Sequence, residues 1–161
     1  MKKILIIIGF IIPFSGLSQP ALLMESQIVG GMMPIAQDRR IQIFENGEVW
    51  SWIKSSCSGR APSDCQPTTE TKRLAILDSN VVQTLQNQID PLSEEPGMYD
   101  YNQGEPFCYD APVTYYRVFK PNQVEGLVIG YWERCHEYVL QVGQVSGMIK
   151  LLKGFIALAQ Y

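Results

Sequence analysis

Ile41-Gln42-Ile43-Phe44-Glu45-Asn46-Gly47-Glu48-Val49-Trp50-Ser51-Trp52-Ile53 holds two β-rich runs joined through Asn46-Gly47. Asn-Gly between apolar runs is the strongest short-range hairpin signal, because both residues tolerate the positive φ that tight turns demand. The stretch predicts a first β-hairpin. Side chains alternate along a strand with period two, so Trp50 and Trp52 share one face of its second strand. Two tryptophans in line make either a binding platform or the side of a sheet covered by a helix.

Downstream, Thr68 to Lys72 leads into Leu74-Ala75-Ile76-Leu77, a short apolar run compatible with a strand. Asp78-Ser79 then offers an N-cap, Val82, Leu85 and Ile89 follow at helical spacing, and Pro91 stops the pattern. Leu92 to Asp110 is rich in turn residues and acids, interleaved with Tyr99, Tyr101, Phe107 and Tyr109. Val113 to Phe119 and Leu127 to Trp132 read as a second pair of strands, turned by Pro121-Asn122 and Gly126, with a further short strand from Tyr138 to Val142. Met148, Ile149, Leu151, Leu152, Phe155, Ile156 and Leu158 then form the broad apolar stripe of a C-terminal helix. This order predicts an α+β fold: an antiparallel sheet of two β-hairpins with two helices packed on one face, divisible into two ββα halves.

Upstream, Lys2-Lys3, the apolar run from Ile4 to Phe14 and the small residues of Gly16-Leu17-Ser18 have the layout of a secretory signal peptide, residues 1–18. The run is too short for a spanning helix, so no stable membrane span is expected once the signal is cleaved. Residues 19–40, with Gly30-Gly31, Pro34 and the methionines Met24, Met32 and Met33, read as an N-terminal arm or tether. Residues 41–161 then make a single disulfide-containing domain. The full chain of 161 residues is 46% hydrophobic and carries a net charge of −3, which becomes more negative when Lys2 and Lys3 leave. An acidic chain without a basic run argues against a nucleic-acid partner.

Cys57, Cys65, Cys108 and Cys135 form an even set in a chain addressed to an oxidising compartment. Two bridges are expected, Cys57 with Cys65 across a short loop and Cys108 with Cys135 across the second hairpin. No Cys-x-x-Cys pair suggests zinc, and no metal or cofactor is expected.

Catalytic signals are sparse. Cys135-His136 joins a thiol to an imidazole, but neighbours in a strand point to opposite faces and fit a nucleophile-base pair poorly. Ile28-Val29-Gly30-Gly31 is similar to the new N-terminus of activated trypsin-like proteases, yet Gln27 precedes it, no Gly-Asp-Ser-Gly follows, and the only histidine is His136. Asp100, Asn102 and Gly104-Glu105 resemble the opening of an EF-hand loop, but the twelfth position is Ala111. Asp100, Glu105 and Asp110 also supply carboxylates of the kind glycoside hydrolysis uses.

Cys57-Ser58-Gly59-Arg60-Ala61-Pro62-Ser63-Asp64-Cys65, closed by a bridge, presents Arg60 near the tip of a small loop. These residues resemble the reactive loop of Bowman-Birk serine-protease inhibitors in cysteine-to-cysteine length, basic residue and following proline. Gly59 adds a residue before Arg60, and only one proline follows. The resemblance implies a protease inhibitor with Arg60 as specificity residue and Arg60-Ala61 as the reactive bond.

Three functions follow in order. The first is a secreted or periplasmic non-catalytic binding domain, meeting another protein or an extracytoplasmic ligand through Trp50, Trp52, Tyr99 and Tyr101. The second is the inhibitor, and the third a small extracytoplasmic hydrolase.

Overall fold

A computed structural model of the chain describes residues 20–30, 36–56, 68–93, 97–106, 108, 111–121 and 123–159. Its elements in chain order are β1 (Leu22–Val29), β2 (Ala36–Phe44), β3 (Glu48–Ser56), β4 (Thr68–Ile76), α1 (Ser79–Ile89), β5 (Met98–Asp100), β6 (Val113–Val118), β7 (Leu127–Glu133), β8 (His136–Leu140) and α2 (Val145–Ala159). The β2–β3 hairpin forms where Asn46-Gly47 predicts it, with the positive φ at Gly47 and not at Asn46. The Gly47 amide donates to the Phe44 carbonyl at 2.9 Å, the Asn46 side chain accepts from the Glu48 amide at 3.1 Å, and Gly47 takes a φ of +83°. Asp78 caps α1 by accepting from the Asn80 amide at 2.8 Å.

The expected pair of hairpins carrying two helices, with two ββα halves, is overturned. All eight strands form one antiparallel sheet in the order β4-β3-β2-β1-β6-β7-β8-β5, and this sheet rather than a helical layer dominates the fold. The physical reason lies in β1. It pairs with β2 on one side and β6 on the other, so it fuses the two hairpins into a continuous surface. Leu22–Val29 falls within the segment read as an arm, and that reading is corrected here. Its period-two signal is broken where the register shifts between Leu22 and Met24, and Glu25 and Ser26 are both buried although polar. Each gains a neighbour on both flanks that a tether would lack.

Directly opposed residues in a sheet share a face. Ile41 and Ile43 of β2, Met24 of β1, Tyr116 and Val118 of β6, Ile129 of β7 and Val139 of β8 supply the apolar side, which meets Val82, Leu85 and Ile89 of α1 and Met148, Ile149, Leu152 and Phe155 of α2 in one core. Close approach of α2 depends on Gly130. A Cβ there would lie 2.7 Å from Ile149 Cδ1 and 2.9 Å from the Tyr138 carbonyl oxygen. The opposite, open face is the one on which α1 and α2 do not pack, and its Trp50, Trp52, Tyr115 and Tyr131 are half-buried.

Candidate binding face

One cross-strand row runs over the open face through every strand. Thr71 of β4 faces Trp52, Trp52 faces Arg40, Arg40 faces Gln27, Gln27 faces Tyr115, Tyr115 faces Tyr131, Tyr131 faces Tyr138, and Tyr138 faces Asp100 of β5. A second row beside it reads Arg73, Trp50, Gln42, Glu25 and Arg117. Strands stand about 4.8 Å apart, so these side chains reach their neighbours on either side.

The contacts along the rows fix the side chains in place. Arg40 lies over the Trp52 ring at 5.0 Å and Arg117 over the Tyr115 ring at 4.9 Å. Tyr131 stacks on Tyr138 with centroids 4.4 Å apart and lies 6.2 Å from Tyr115. Arg117 Nη1 donates to Gln27 Oε1 at 2.7 Å, Gln42 donates to Glu25 at 2.9 Å, and Arg40 forms an ion pair with Asp38 at 2.7 Å. Glu25, only 5% exposed, has Arg117 at 3.4 Å and Arg40 at 3.7 Å. Two guanidiniums thus face two carboxylates, and the face is polar without a strong net charge.

Electrostatics keep these groups in their paired states. Burial pushes the Asp38 carboxyl up, but hydrogen bonds from Arg40 and Gln27 with the charges of Arg40 and Lys54 outweigh it and hold the group below its ordinary 3.8. The hydrogen bond from Arg40 to Asp38 raises the guanidinium in turn. Burial, followed by Tyr138, Glu133, Asp100 and Tyr115, raises the Tyr131 phenol, which is therefore uncharged at neutral pH.

The row ends at a packed strap. Residues 101–106 and Cys108 are tied to β8 and its turn by Tyr101 N donating to the Glu137 carbonyl at 2.9 Å, Glu137 N donating to Asn102 Oδ1 at 3.0 Å, and the Cys108–Cys135 disulfide. Beneath them His136, 2% exposed, places Nδ1 2.9 Å from Asp100 Oδ2 and donates from Nε2 to the Glu105 carbonyl at 3.2 Å. Arg134 and Cys135 occupy the β7–β8 turn with φ of 50° and 68°. Both residues of the tight turn are therefore left-handed, as a two-residue hairpin of type I′ requires.

The sequence-derived platform is redistributed. Trp50 and Trp52 lie on the open face, whereas Tyr99 faces Val139 on the helix side near the opposite edge and meets Tyr101 edge-on at 5.0 Å. The four do not make one surface. The residues that join Trp52, namely Arg40, Gln27, Tyr115, Tyr131 and Tyr138, went unread because β1 was not recognised and the register between hairpins depends on it. Only the alternation Val113-Thr114-Tyr115-Tyr116-Arg117 hinted that Tyr115 and Arg117 share a face. The expected Cys57–Cys65 bridge, Arg60, Ala61 and Asp110 lie outside the described residues.

Cys135 sulfur is bonded to Cys108, and both nitrogens of His136 are engaged, so the adjacent pair does not present a thiolate with a free base. Asp100 Oδ1 accepts from the Asn102 amide at 2.9 Å, and Asn102 Oδ1 is taken by Glu137, which turns these oxygens inward rather than toward an ion. Among the described residues no group of three or more histidine, cysteine or carboxylate side chains could hold a metal ion, and no helix is long and apolar enough to cross a membrane. No known protein family, curated protein sequence or solved structure matches the chain.

Proposed function

We propose that this protein is an extracytoplasmic, non-catalytic binding module that engages another protein through its open sheet face. The observation that carries this reading is the continuous row from Trp52 through Arg40, Gln27, Tyr115 and Tyr131 to Tyr138. Tryptophan, tyrosine and arginine are the residues that concentrate binding energy in protein interfaces. Here they are stacked and hydrogen-bonded in the unbound chain, so association costs less side-chain ordering than it would from mobile side chains. The balanced guanidinium and carboxylate pairs favour a protein surface over the polyanionic backbone of a nucleic acid. The disulfide between Cys108 and Cys135 and the signal-like residues 1–18 support an oxidising compartment as the place of action.

The test is site-specific photo-crosslinking in the cells that make the protein, with the photoreactive residue at position 131 or, as a control, at Lys150 on the helix side. A defined adduct is expected from 131 and not from 150. Tyr138→Ala should weaken it by about 2 kcal/mol of binding, in the range of an interface hot spot. Equal adducts from both positions, or none from 131, would remove the proposal.

A further inference from the structure

We infer that β4 is a dimerisation edge, and that a second copy of this chain pairs with it antiparallel about a two-fold axis at Thr71. Strand β4 ends the sheet, runs for nine residues, and is exposed from Thr68 through Arg73. An edge strand offers a row of backbone donors and acceptors ready to pair with another strand. The other edge, β5, has three residues and offers much less.

The side chains of β4 select both the partner and the register. Facing residues in an antiparallel pair share a face, so a two-fold axis normal to the sheet passes through a single residue position and its copy. An axis at Glu70 sets two glutamates against each other, and one at Lys72 sets two lysines against each other. At Thr71, Glu70 meets Lys72 of the second copy twice, Thr71 meets Thr71, and Arg73 meets Thr69. Opposite charges directly across a strand pair stabilise it, and like charges disfavour it. Within the chain the charges have no such use. Glu70 faces Ile53 and Lys72 faces Ser51 across β3. Among the described residues neither belongs to an ion pair.

The consequence for the open face is geometric. Thr71 is the β4 member of the row that includes Trp52, so pairing Thr71 with its copy joins two rows end to end. The two protomers then present one continuous sheet with a duplicated aromatic and guanidinium surface. The association is closed, because each β4 is consumed by the other. A single strand pair buries less than the roughly 1,200 to 2,000 Å² of a standard stable interface, so the dimer is reversible and concentration-dependent.

Sedimentation equilibrium of the oxidised full-length chain tests this directly. The wild type should pass from monomer to dimer as concentration rises, up to about 1 mM. Glu70→Lys and Lys72→Glu should each weaken dimerisation about tenfold or more, since each creates two like-charge contacts. The double variant Glu70→Lys/Lys72→Glu should restore it, which a merely structural role for either residue would not produce. Near-ultraviolet circular dichroism verifies that these exposed substitutions leave the fold intact. A wild type that stays monomeric throughout, a dimer indifferent to the single reversals, or a double variant that remains monomeric would each overturn the inference.

Discussion

Gly47 meets two demands at once, and they can be separated from the general preference of turns for glycine. Its φ of +83° disfavours any side chain, and a Cβ would stand 2.6 Å from the Leu77 carbonyl oxygen, where the Leu77 amide also donates back to Gly47 at 2.8 Å. Gly47→Ala should therefore destabilise the fold by about 1 to 3 kcal/mol, read as a lower denaturant midpoint at unchanged slope. Ser26 gives the opposite expectation. Its hydroxyl is the buried side-chain oxygen left without a hydrogen-bond partner among the described residues, and it lines a cavity of about 30 Å³ with Ile41, Ser51, Ile53 and Ile156. Removing an unsatisfied buried polar group relieves its desolvation cost, so Ser26→Ala should hold or raise stability by up to about 1 kcal/mol. A loss comparable to that of Gly47→Ala would mean that the hydroxyl is paired after all. Asp38 sets an acid dependence with a definite sign. Its carboxyl lies below 3.8 in the folded chain, so its contribution is fully present above that pH and fades as pH falls below it through the folded value. The melting temperature of wild type should exceed that of Asp38→Asn at neutral pH, and the difference should shrink as the pH falls below 3.8.

Elements differ in how far their own residues announce them. The β2–β3 hairpin and α1 were legible because the chemistry is local: Asn46-Gly47 sets the turn, and Asp78 caps a helix whose apolar residues recur at Val82, Leu85 and Ile89. Strand β1 was not, since its adjacent polar residues Glu25 and Ser26 are buried only by virtue of neighbours about 15 and 90 positions away. Strand β5 was illegible for a related reason, being three residues held by pairing with β8 inside a turn-rich stretch. The binding face inherits this limit: Trp50 and Trp52 belong to a readable strand, whereas their companions depend on register between distant segments. The strap over His136 shows the same dependence and can be tested as an element. It hangs on the Cys108–Cys135 bridge, which closes a separation of 27 residues, and on the hydrogen bonds from β8. Replacing both cysteines with alanine should cost about 2 to 4 kcal/mol. Amides of residues 101–106 should then exchange faster, while those of β2 and β3 keep their order of protection.

At the scale of the molecule, β1 holds the position that decides cooperativity. Without it the sheet divides between β2 and β6, leaving β4-β3-β2 on one side and β6-β7-β8-β5 on the other. Each part would keep local pairings, but Glu25 would leave Arg117 without the carboxylate that bridges the two parts, and Met24, buried between Ile43 and Val118 in the register, would leave a gap across the core. Local hairpins close short loops, whereas joining β1 to β6 requires closing a loop of more than 80 residues, so this pairing carries a larger loop-closure cost than any hairpin of the sheet. A chain begun at Gly30 should consequently unfold over a broader transition than the intact protein, with near-ultraviolet dichroism lost before far-ultraviolet signal. The same shortened chain mixed with a synthetic peptide of residues 20–30 should regain tertiary signal as the peptide is titrated, because a missing central strand can be supplied in trans where an arm has nothing to restore. A shortened chain that melts as sharply and as high as the original would show instead that β2 and β6 hold together without β1, and the sheet would have to be reckoned as two independent units.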